Sequence, residues 1–169
     1  MPLQLYKIAS SELTTTASSV TFSNIPQGYT DLKVVMSIRN GTNAETTGAV
    51  YFNGDTTDSN YLYKRLLGDG SFASSAGTAH SYIFYMSINS DTANVFANCE
   101  LYIPSYTSST QKPISAETAT ENNATGALLA MAGARWSGTA AITSVQVRPY
   151  AAGGGSFAAN STFTLYGIL

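Results

Sequence analysis

Ten carboxylates, one histidine and one cysteine are the groups in this 169-residue chain that could do acid–base, nucleophilic or metal chemistry. The acids are Glu12, Asp31, Glu45, Asp55, Asp58, Asp69, Asp91, Glu100, Glu117 and Glu121, and three of them stand in the stretch YFNGDTTDSNYLYKRLLGDG at 51–70. A calcium site needs about six to eight converging oxygens. Asp55 and Asp58 are three apart, but the alternating Asp/Asn ligands with a glycine and a later glutamate are missing. An aromatic-rich strand separates Asp69 from them, and a strand of that length carries the chain about 20–25 Å to the far edge of a sheet. The stretch therefore reads as strand, turn, strand, turn, with no metal site.

His80 lies in SSAGTAHSYIF, a loop entering a strand, and no Gly-x-Ser-x-Gly elbow occurs. A Ser–His–Asp or Cys–His mechanism needs an imidazole held between a nucleophile and an orienting acid, and nothing local marks such a set. Glycoside hydrolysis needs two carboxyls about 5–10 Å apart in a cleft. Most of the acids stand in turns, and no pair can be named. Cys99, the single cysteine, excludes an intrachain disulfide and reads as a small buried residue. The expectation is a protein without catalytic residues, cofactor or metal, and not an enzyme.

The elements that would hold any site are strands. Alternation with period two runs through SSVTFSNIP, TDLKVVMSIR, VFANCELYIP, TSVQVRP and STFTLYGIL. It sends Leu32, Val34, Met36 and Ile38 to one face, with Lys33, Ser37 and Arg39 on the other. Val95, Ala97, Cys99, Leu101 and Ile103 point inward, and Asn98 and Glu100 outward. Further strands are expected at 5–9, 49–53, 61–67, 82–89, 114–120 and 127–136. Segments such as FNGDTTDSN, GDGSFASSAGT and NSDTAN supply turns. The run GALLAMAGARW reads as a strand buried on both faces rather than as a helix. The fold class is all-β: a single antiparallel β-sandwich over 1–169, jelly-roll-like.

Apolar residues make up 44% of the chain and charged ones only 11%, with a net charge of −2. Eight Lys and Arg, with Lys64 and Arg65 the one adjacent pair, form no basic patch for phosphates, so nucleic acid is not an expected partner. Lys64 and Arg65 read as decoration of a strand edge. No run of about 18 apolar residues occurs, so no membrane span is expected. The beginning, MPLQLYKIASSEL, lacks a basic stretch followed by an apolar core, which implies synthesis in the cytoplasm without secretion. A surface rich in Ser and Thr yet poor in charge suits a protein that ends up in an assembly or bears on carbohydrate.

Eleven Tyr, seven Phe and one Trp add an aromatic surplus. Tyrosine can stack on sugars and fill protein interfaces, and it is also simply a good strand former. Tyr61, Tyr63, Tyr82, Tyr102, Tyr106 and Tyr150 are the candidate interface or glycan contacts.

Taken in order, YKIASSELTTTASSVTFSNIPQGYTDLKVV, YFNGDTTDSNYLYKRLLGDGS, ELYIPSYTSSTQKPISAETATENNAT, WSGTAAITSVQVRP and GSFAANSTFTLYGIL span most of the chain. They resemble small structural proteins and fibre-tip domains of tailed bacteriophages. That group's recurring RFNGD stands here as YFNGD. The resemblance implies a virion component with a jelly-roll-like sandwich, assembled in the host bacterial cytoplasm. It implies a homo-oligomer, a trimer above all, docked on other virion proteins. It carries no catalytic residues over. Two roles fit: decoration of the capsid or an appended head or tail fibre, and recognition of host surface glycan.

Overall fold

A computed structural model describes residues 4–42, 47–121, 127–150 and 155–169. Twelve strands lie within them: β1 (Leu5–Glu12), β2 (Val20–Phe22), β3 (Asp31–Ile38), β4 (Thr47–Phe52), β5 (Tyr61–Gly68), β6 (Ala73–Thr78), β7 (Tyr82–Tyr85), β8 (Ala97–Ile103), β9 (Lys112–Glu121), β10 (Ala127–Trp136), β11 (Val145–Pro149) and β12 (Thr162–Ile168). One short 3-10 helix, Asp58–Asn60, precedes β5, and there is no α-helix among the described residues. The turns expected at 43–46 and 151–154 lie outside the described residues.

The strands form two antiparallel sheets, a β-sandwich. The large sheet runs β1-β12-β3-β8-β9-β10-β5-β6 and the small one β2-β11-β4-β7. Two hairpins, β5–β6 and β9–β10, extend the large sheet on one side. Set aside, they leave β1-β12-β3-β8 facing β2-β11-β4-β7.

Alternation dictates the core. Leu32, Val34, Met36 and Ile38 of β3 pair across β8 with Ile103, Leu101, Cys99 and Ala97, and all eight are buried. Phe163 and Leu165 of β12 continue this layer, and Val20, Phe22, Val50, Phe52, Phe84, Val145 and Val147 close it from the small sheet. Burial pushes the Cys99 thiol up to about 12, so it stays a protonated packing group.

Four expectations need correction. Segment 73–78, read as turn, is strand β6: it pairs with β5 from Ala73 opposite Gly68 to Thr78 opposite Tyr63, though every side chain on it is exposed. The run at 127–136 is strand β10, as expected, but it is not buried on both faces. Ala130, Ala132 and Trp136 point into the sandwich, while Leu129 (60% exposed) and Met131 (53%) stand outside, where no second layer covers the sheet among the described residues. Lys64 and Arg65 lie on β5, which is flanked by β10 and β6 and is not an edge. Lys64 is exposed, and the Arg65 guanidinium lies over the rings of Tyr63 and Tyr85.

The last correction is Arg39, placed outward by alternation but 7% exposed. The strand has ended by Ile38, and the guanidinium turns beneath the loop after β7. There Nη1 donates to the carbonyls of Thr92 (2.9 Å) and Val95 (2.8 Å), and Nη2 to those of Asp91 (3.1 Å) and Asn89 (3.4 Å). The planar fork of arginine supplies several donors at fixed angles, so one side chain holds the whole loop. The same loop shortens the neighbouring elements, since β7 stops at Tyr85 and β8 begins only at Ala97.

The two edges of the large sheet differ. Edge strand β1 carries an exposed Lys7 and a register shift between Lys7 and Ala9, both of which discourage further strand pairing. Edge strand β6, ASSAGT, has neither charge, proline nor bulge.

Candidate functional site

Three carboxylates of the stretch at 51–70 go to three separate tasks. Asp69 caps its own turn: Oδ1 accepts from the backbone N–H of Ser71 and Phe72 and from the Ser71 hydroxyl. Asp55 closes the loop after β4, its Oδ2 accepting from Trp136 Nε1 and Asn60 Nδ2, each at 2.8 Å. Asp58 reaches across to the start of β7 and gathers a polar cluster from several elements.

The cluster draws on four elements. Asp58 comes from the 3-10 turn, Tyr51 from β4, Ser81 and His80 from the residues before β7, and Arg148 and Tyr150 from β11 and the residue after it. Ser81 Oγ donates to Asp58 Oδ1 at 3.0 Å and Tyr51 OH to the same oxygen at 3.2 Å. His80 Nδ1 lies 3.2 Å from Asp58 Oδ2, and Tyr150 OH 3.4 Å from it. An ionised carboxylate only accepts, so Nδ1 is the protonated ring nitrogen in this pairing. Arg148 Nη2 donates to Tyr51 OH at 3.0 Å, and its guanidinium sits 4.6 Å from the Tyr51 ring centre. Around these groups the rings of Tyr63, Tyr82, Tyr150 and His80 pack at centroid distances of 4.7–5.6 Å.

The polar bonds set the charge state. Burial alone would raise the Asp58 carboxyl, but the hydrogen bonds from Ser81, His80 and Tyr51 outweigh it and hold the group below the ordinary 3.8. Asp55 behaves alike: burial works upward, and the bonds from Trp136, Asn60 and Thr57 bring it down. Burial, then the nearby Asp58 charge, raises the Tyr150 hydroxyl. Burial and the hydrogen bond to Tyr82 push Tyr63 up to about 12. A carboxylate with a depressed folded pKa stabilises the fold above its unfolded pKa, and that contribution is lost as pH falls through the folded value. Thermal melting followed from pH 7 to pH 2 will therefore show stability falling below about pH 4. Asp58→Asn will melt lower than the unmodified chain at pH 7, and the gap will close as the pH drops below that point.

The cluster is not wired for nucleophilic catalysis. In a Ser–His–Asp set the hydroxyl faces the imidazole and the acid stands behind it. Here Ser81 and His80 both point at the carboxylate, which lies between them. What the arrangement offers is a half-buried face of tyrosine and histidine rings beside fixed hydrogen-bonding groups.

Of the six tyrosines read as contacts, only Tyr82 and Tyr150 meet here at the surface. Tyr102 is exposed but lies elsewhere, on β8, where its hydroxyl donates to Asp31 at 2.6 Å. Tyr61, Tyr63 and Tyr106 are 1%, 4% and 0% exposed, which corrects their reading as interface or glycan contacts. Tyr61 OH is spent inside, donating to the Asp55 carbonyl and accepting from Phe52 N–H, and Tyr106 OH donates to the Pro26 carbonyl. The sequence reading missed Asp58, His80 and Ser81 as a group with Tyr150, and Arg148 behind Tyr51, because only the fold brings a position 92 residues away onto the Asp58 carboxylate.

A second surface stands out on the outer face of the large sheet. Two adjoining grooves of about 570 and 610 Å³ meet at Lys64 and Gly133, over β9, β10 and β5. Leu62, Leu66, Leu129 and Met131 are exposed on this face. Exposed apolar side chains gathered on one face, here with Lys64, Glu117 and Arg135 among them, are the kind of surface that marks an interaction site.

No protein family, curated protein or solved structure matches this chain.

Proposed function

We propose that the chain is a non-enzymatic structural protein of a tailed-bacteriophage virion, a capsid decoration or an appended head or tail-fibre component. It works by associating with copies of itself and docking on the particle. The observation that carries this reading is the uncovered apolar outer face over β5, β9 and β10, next to an edge strand that lacks the usual guards against pairing. The low charge of the chain points the same way, as does the resemblance of its ordered motifs to those of phage structural proteins.

The strand order adds support. With hairpins β5–β6 and β9–β10 set aside, the remaining eight strands follow two interleaved Greek keys, and we read them as a jelly roll, an architecture used in viral capsids. The two hairpins are then insertions that widen one sheet and create the uncovered face.

A second reading, recognition of host glycan, is favoured by one observation: Tyr82 and Tyr150 flank His80 and Asp58 at the surface, pairing ring faces with fixed polar groups. Binding to purified particles and to a glycan array separates the two. The structural role predicts tight, saturating binding to empty heads or tails with no glycan retained. Glycan binding together with absence from purified particles would reverse the order.

A further inference from the structure

We propose that a second copy of this chain packs on the outer face of the large sheet, related by a two-fold axis, so that Lys64 of each copy meets Glu117 of the other. This rests on the self-associating role proposed above and names the surface and the partner.

The register lays out the face. Met131 of β10 stands between Leu66 of β5 and Glu117 of β9, and in the next outward row Gly133 stands between Lys64 and Ser115. Leu66 is 64% exposed, and a Cβ added at Gly133 would meet nothing within 4 Å, so the strip is open from above. Leu129 extends it at one end, and at the other Leu62 stands beside Arg135, which is held by Gln111.

The charges point to a copy of the same surface. Glu117 lies directly opposite Glu100 on β8, and like charges so placed repel. Glu100 is already taken by Lys33, with Nζ 2.6 Å from Oε2. Glu117 has no ion pair among the described residues, and neither has Lys64. One ammonium and one carboxylate thus sit on opposite sides of an apolar strip. A two-fold axis through that strip exchanges the sides and sets each charge against its complement, which is the self-complementarity an isologous contact requires. A two-fold pair satisfies both charges, whereas the trimer implied by resemblance does not single out this arrangement.

The area is sufficient. Four strands spaced about 4.8 Å and about eight residues long offer on the order of 500 Å² in plan. With its side-chain relief this approaches the roughly 800 Å² per partner of a standard interface.

The test is charge reversal with complementation, read by native mass spectrometry and sedimentation equilibrium. The unmodified chain forms a two-chain species. Lys64→Glu and Glu117→Lys each weaken self-association by about tenfold or more, because like charges then face each other. An equimolar mixture of the two variants restores pairing, since each new carboxylate faces a new ammonium. Both positions are exposed, and unchanged melting temperatures will show that the variants fold. If the unmodified chain pairs and neither variant weakens it, this face is not the interface and self-association itself stands. Variants that weaken pairing but fail to complement each other would overturn the two-fold arrangement. A single-chain species at every concentration would overturn both this inference and the structural role beneath it.

Discussion

Trp136→Ala will destabilise the protein by about 4 kcal/mol, the range for deleting a buried large aromatic side chain. Trp136 ends β10 with its ring 4% exposed, edge-on to Phe52 at 5.6 Å and stacked on Tyr61 at 6.5 Å. The segment after β10 is fitted to it, because a Cβ at Gly138 would lie 2.2 Å from the indole. Its Nε1 also holds Asp55, so the same residue packs the core and closes the loop after β4. The two contributions separate by substitution. Trp136→Phe keeps most of the buried area, loses the hydrogen bond and will cost about 1–2 kcal/mol. Asp55→Ala will cost a similar amount, and the double variant will cost less than the sum, because both remove one bond. Chemical denaturation followed by circular dichroism measures all four. Strict additivity would show that the indole–carboxylate bond contributes nothing.

Arg39→Leu will cost about 3 kcal/mol, through the desolvated carbonyls it leaves without donors. For a chain of this size that corresponds to a drop of roughly 6–12 °C in Tm. Four carbonyls between Asn89 and Val95 converge on one guanidinium, and no carboxylate is among these hydrogen-bond partners. The residue therefore acts as a fork of donors more than as a charge. Arg39→Lys will recover less than half of the loss, because a single ammonium cannot span four carbonyls. Limited proteolysis gives a local readout: cleavage between 88 and 96 will accelerate in both variants before global unfolding. A leucine variant that melts within 1–2 °C of the unmodified chain would contradict this assignment.

Strands β3, β8, β11 and β12 were legible because each has one face on the core, and alternation is what a half-buried strand imposes on a sequence. The sheet order was not legible, since pairing is decided by residues far apart in the chain. Strand β6 escaped because ASSAGT buries nothing and so carries no hydrophobic period; backbone pairing with β5 alone makes it a strand. In β10 the small Ala130 and Ala132 point inward and the large Leu129 and Met131 outward, which inverts the usual pattern, so the stretch from 127 to 134 reads as a buried apolar run. Arg39 was misplaced because alternation was extended one residue beyond the strand. The tyrosines divided between core and surface for a reason composition cannot show: Tyr61 and Tyr106 find backbone partners for their hydroxyls inside, which removes the penalty for burying them. The Asp58 cluster needed the fold, whereas the exposed leucines of β5 and β10 were visible in the sequence but had no assigned direction.

Static light scattering of the unmodified chain, from dilute to concentrated solution, tests the central claim of a self-associating subunit most directly. The expected result is a mass of twice 17.8 kDa that persists on dilution through the working range. A mass of 17.8 kDa at the highest concentration reached would contradict it.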